Sequence, residues 1–134
     1  MKKKILILAG GFSREREISL RTARGVNREI KKKYITKICE PDGNLIRNLR
    51  NFKPNIVFNA LHGRYGEDGY VQTILESEKI KYTHSGVLSS SIAIDKEISK
   101  KIFIKNKILT PKYLKFKFKK KIKKNEIINK VNKK

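Results

Sequence analysis

Ile56-Val57-Phe58-Asn59-Ala60-Leu61-His62-Gly63-Arg64-Tyr65-Gly66-Glu67-Asp68-Gly69 joins a short apolar run to a polar, glycine-rich segment. Ile56-Val57-Phe58, entered from Pro54, reads as a buried strand of a parallel sheet. The character then changes within a few residues. Asn59, His62, Arg64, Glu67 and Asp68 crowd together with Gly63, Gly66 and Gly69 between them. Glycines at that density allow sharp turns and close approach of backbone to a ligand. Helical spacing resumes with Tyr70, Val71, Ile74 and Leu75. Polar groups therefore lie on a loop between a strand and a helix, the edge where open α/β sheets bind ligands. The plainer reading of these residues is an ordinary polar loop, with His62 capping or solvated.

Working outward, Lys4–Leu8 reads as a first buried strand, closed by Ala9-Gly10-Gly11. Ser13 suits a helix N-cap, which puts Glu15 and Glu17 in the first turn, where carboxylates complement the helix dipole. Ile18, Thr22, Val26 and Ile30 recur every four residues and mark the core face of that helix. Tyr34–Cys39 reads as a second strand, Leu45–Leu49 as a short helix, and Lys81–Thr83 as a fourth strand after a helix over 68–78. Ser85-Gly86 opens another helix, and Asp95-Lys96 a further one that Thr110-Pro111 ends. Lys112–Phe118 reads as an edge strand, and Glu126–Val131 as a helical turn or two. The alternation of strands and helices predicts an α/β fold: a Rossmann-like parallel sheet flanked by helices.

At 134 residues, the chain is long enough for one domain with a normal core. A single cysteine, Cys39, excludes an internal disulfide and fits a reducing compartment. No apolar run reaches the roughly 18 residues that mark a membrane-crossing helix. The apolar run after Met1-Lys-Lys-Lys is too short for a signal peptide and reads as the first strand. The formal net charge is +22, of which residues 95–134 carry +13. The excess is mostly lysine, 26 against 8 arginines, and the tail has no arginine, the usual residue for reading bases. This leaves one alternative function: a stand-alone basic module that binds nucleic acid or an acidic partner through its Lys-rich tail. Gly10-Gly11-Phe12-Ser13 lacks the spacing of a dinucleotide fingerprint, and no Gly-Lys-Ser/Thr follows it. Metal-ligand spacing of Cys and His is absent.

Three motifs in order resemble the amino-terminal domain of D-alanine–D-alanine ligases. They are Gly10-Gly11-Phe12-Ser13-Arg14-Glu15-Arg16-Glu17-Ile18-Ser19-Leu20, Phe58 to Gly69, and Tyr82-Thr83-His84-Ser85-Gly86-Val87 with Asp95-Lys96 following. The match covers about residue 4 to about Lys115. The resemblance implies a domain over 1–110, which precedes an ATP-grasp region. It also implies that 111–134 is the start of that region or a disordered tail. It assigns Glu15 to the ammonium of the first D-alanine, Ile18 to its methyl group, His62 to the same substrate and Lys96 to the nucleotide side. It implies ATP and magnesium as cofactors of the whole enzyme and D-alanine as substrate. It further implies a cytoplasmic place in peptidoglycan synthesis, with no specific nucleic acid and no membrane partner. A homodimer, or a separate ATP-grasp chain completing a half-enzyme, is the expected assembly. The glycine-rich phosphate loop and metal-binding carboxylates of the family lie downstream of the match, so this chain alone is expected to be inactive and to bind neither cofactor tightly. His84 stands where the family usually has glycine.

Overall fold

The computed structural model describes residues 2–116 and 124–132. Its elements run β1 Lys4–Leu8, α1 Arg16–Ile30, β2 Ile35–Cys39, α2 Leu45–Phe52, β3 Ile56–Asn59, α3 Tyr70–Ser77, α4 Val87–Ile94, α5 Lys96–Lys105 and α6 Lys124–Asn132. The three strands form one parallel sheet in the order β2-β1-β3. By its contacts the chain divides into Met1–Asp95 and Lys96–Lys134.

The sheet is covered on both faces, as its unbroken apolar runs require. Side chains alternate along β1, so Leu6 and Leu8 face one way and Ile7 and Ala9 the other. Leu6 and Leu8 pack with Leu45 and Leu49 of α2, Val57 of β3, and Val71 and Leu75 of α3. Ile7 and Ala9 pack with Ala60 and with Ala23 of α1, flanked by Leu20, Val26 and Ile30. The core stripe of α1 is thus Ser19, Ala23, Val26 and Ile30, not the Ile18-Thr22 register expected from hydrophobicity. Small residues win because α1 packs close to the sheet, and Ile18 is left 55% exposed.

Two expected strands take another form. Lys81–Thr83 makes only an isolated parallel bridge, Val57 to Tyr82, with Val57 N–H donating to Lys81 O and Thr83 N–H to Val57 O. His84 then turns the chain at φ +85, which ends the pairing. Residues 112–116 carry no regular structure; Lys117 and Phe118 of that expected strand lie outside the described residues. In place of a ladder, the Lys100 ammonium donates to Thr110 Oγ1 at 2.9 Å and Pro111 O at 2.7 Å, 5.5 Å from the Tyr113 ring centre. The helical segment expected at Glu126–Val131 falls inside α6.

Candidate functional site

The carboxyl ends of β1 and β3 are neighbours in the sheet, so the loops that leave them meet. Gly10 and Gly11 turn the first loop at φ +83 and +82. The buried Ser19 hydroxyl ties the pieces together: it accepts the Gly10 N–H at 2.8 Å and donates to Ala60 O at 2.7 Å. One side chain on α1 therefore fixes both loops to the helix. Ser13 is not the helix cap. Its hydroxyl accepts the Glu15 N–H at 3.1 Å in a local turn, and Glu15 itself is the N-cap residue, without a capping side-chain bond. The Glu15 carboxylate is thus free of the helix start and lies against the second loop. A β carbon built on Gly63 would come within 2.7 Å of Glu15 Oε2.

The second loop is held from inside. Asn59 Nδ2 and Gln72 Nε2 both donate to Gly66 O, at 2.8 and 2.9 Å, and Leu61 N–H returns to Asn59 Oδ1. Glu67 Oε2 accepts the Gly63 N–H at 2.8 Å. Asp68 accepts from Tyr65 N–H and Tyr70 N–H, which starts α3. His62 sits on this frame with Nδ1 3.8 Å from Glu67 Oε1, a close approach but not a hydrogen bond. Its Nε2 is buried and has no hydrogen-bond partner among the described residues. A buried polar atom in that condition calls for a partner that the fold does not supply. The aromatic rings of Phe12, Tyr65 and Tyr70 pack edge-to-face, with ring centres 6.1 and 5.3 Å apart, and so join the first loop to the second.

Of the residues expected in the site, Glu15 and His62 come from loops in mutual contact. Ile18 lies three residues beyond Glu15, in the first turn of α1, and is exposed. Lys96 opens α5 in the second unit. The sequence reading placed Asn59, Glu67 and Asp68 on the loop without their role as its framework, and missed Ser19 and Gln72. Their signal was weak, because a lone polar residue on a helix or in a loop reads equally well as solvated. Glu40, at the end of β2, has its Oε2 accepting the Gly11 N–H at 3.3 Å and its other oxygen paired with Arg16.

These features define an open parallel α/β domain with a carboxylate and an unsatisfied imidazole at the ligand-binding edge of its sheet. Comparison with known proteins gives that class a family. The chain is 67% identical over 121 residues to a D-alanine–D-alanine ligase of Pelagibacter ubique, a match covering 90% of this chain and 40% of the relative. It is 45% identical to the Zymomonas mobilis ligase, covering 82% of this chain and 35% of that protein. The Bacillus anthracis ligase solved with ATP superimposes with a TM-score of 0.74 at 32% identity, covering 96% of this chain and 43% of that one. No protein-family model matches the chain. By sequence and fold, the chain corresponds to the amino-terminal part of the D-alanine–D-alanine ligase family. It spans about 40% of the length of the Pelagibacter relative. None of these relatives supports the alternative reading as a nucleic-acid-binding module. Among the described residues, no helix is long and apolar enough to cross a membrane.

Proposed function

We propose that this chain forms the part of a D-alanine–D-alanine ligase that receives the first D-alanine. The observation that carries the reading is the meeting of Glu15 with the His62 loop, beside an exposed Ile18. A carboxylate is the natural partner of an ammonium, and the charge-assisted bond is about twice as strong as a neutral one. His62, on the loop that meets Glu15, is the second polar group assigned to the same substrate, and Ile18 offers the methyl group an apolar surface. In the complete enzyme the first carboxylate is phosphorylated and the second amine attacks it, a step of cytoplasmic peptidoglycan synthesis.

ATP and magnesium would belong to that phosphorylation, but the residues here do not fit them. The glycine turn after β1 is filled by the Glu40 carboxylate. No group of three His, Cys, Asp or Glu among the described residues could hold a metal ion. Phosphoryl transfer needs bridging metal ions and positioned cations, so no step of it falls to these residues. Lys96 is proposed on the nucleotide side, residues 1–110 as the substrate-binding domain, and a homodimer or a separate ATP-grasp chain as its assembly.

Titrating the isotope-labelled chain with D-alanine, followed by amide chemical shifts, tests the reading. The expected result is saturable movement at Glu15, Ile18, His62 and Gly63, with a dissociation constant on the order of 1 mM. Glu15→Gln should weaken it about ten-fold or more, the loss of one charged hydrogen bond. Shifts absent, or scattered over surface lysines, would refute it.

A further inference from the structure

Glu40 stands at the end of β2, across the glycine turn from the Glu15 loop. Its carboxylate has two partners. One oxygen accepts the Gly11 N–H at 3.3 Å, and the other pairs with the Arg16 guanidinium. The fit is close: a β carbon on Gly10 would lie 2.5 Å from Glu40 Oε2. The Arg16–Glu40 contact is nonetheless part-exposed, at 44% and 39% for the two side chains. Such a pair contributes little to stability. Its value has to be sought elsewhere.

Arg16 directly follows Glu15. Sequence-adjacent Arg and Glu side chains do close on one another in this helix: Arg16 reaches Glu17 at 3.4 Å, and Arg28 reaches Glu29 at 3.2 Å. Released from Glu40, the Arg16 guanidinium has two sequence-adjacent carboxylates to turn to, Glu17, which it already meets, and Glu15. A guanidinium matches a carboxylate with two donors in a fixed fork, which makes it a strong competitor for an ammonium. Arg14 precedes Glu15 directly in the sequence.

We propose that Glu40 is a positioning residue: it holds Arg16 away from Glu15 and so keeps the Glu15 carboxylate open to a cationic ligand. That this ligand is the ammonium of D-alanine rests on the function proposed above; the holding of Arg16 does not. The Gly11 contact survives in Glu40→Gln, because the amide oxygen still accepts, whereas the charge that holds Arg16 is lost.

The test follows the side-chain carboxyl carbon of Glu15 by NMR in the wild-type chain, Glu40→Gln, Arg16→Gln and the double variant, each with and without D-alanine. Glu40→Gln is expected to move the Glu15 carboxyl signal and to weaken D-alanine binding by about two- to five-fold, the worth of one exposed ion pair. Adding Arg16→Gln should return both to the wild-type values. A double variant as impaired as Glu40→Gln would overturn the proposal, since Glu40 would then act through the glycine turn. So would a Glu40→Gln chain identical to wild type. If the wild-type chain ignores D-alanine, the proposed function fails, while the carboxyl signal still decides the role of Glu40.

Discussion

The carboxylate of Glu15 rests against Gly63, at a point where a β carbon would approach its Oε2 to 2.7 Å. Gly63 also has φ +67, in the left-handed region. Gly63→Ala therefore meets two obstacles, a displaced carboxylate and a conformation costing an L-residue about 1–2 kcal/mol. Urea unfolding should show a loss of that order, and the Glu15 amide signal should move even though the mutation lies on the other loop. Unchanged stability together with an unmoved Glu15 signal would mean that the two loops do not touch in solution.

His84 takes φ +85 with a full side chain. Its ring is edge-on to Phe58, with centres 6.5 Å apart, and its Nδ1 lies 3.0 Å from Thr83 Oγ1. Both substitutes for His84 lose these contacts, so comparing them isolates the backbone. His84→Gly should be more stable than His84→Ala by about 1 kcal/mol, the reverse of their order in a helix. Equal unfolding midpoints would contradict the left-handed assignment.

In the second unit, Glu97 has its carboxyl held down to about 2, first by the Lys101 ammonium and then by Lys115. A carboxylate lowered by folding contributes stability that is present above its ordinary value near 4.5 and lost as pH falls toward 2. Circular dichroism of the chain should show helix lost through that interval, and Glu97→Gln should remove the part of the titration that Glu97 supplies. A wild-type curve that overlays the variant's would show that the pairs are not formed.

The sheet was readable because buried parallel strands leave unbroken apolar runs, as in Ile5–Leu8 and Ile56–Phe58. On α1, Val26 and Ile30 were read correctly, but the first two positions were misjudged by one residue because contact with the sheet there is made through Ser19 and Ala23, which carry no hydrophobic signal. Lys81–Thr83 has strand composition, but its pairing stops at a left-handed residue that composition does not disclose. For the candidate site, the motif around His62 was visible as a density of glycine and charge. The Glu15–Gly63 contact depends on β1 and β3 being neighbours, which is a property of strand order and not of either motif.

The central claim, that Glu15 in this domain receives the first D-alanine, is tested most directly by grafting residues 1–110 onto the ATP-grasp domains of a related ligase. Dipeptide formation is then compared for wild type and Glu15→Gln. Losing one charge-assisted hydrogen bond, about 1.5–3 kcal/mol, should lower kcat/KM for the first D-alanine about ten- to a hundred-fold, with the KM for ATP nearly unchanged. Equal kcat/KM in an active graft would contradict the account and return Glu15 to the ordinary carboxylates of helix starts.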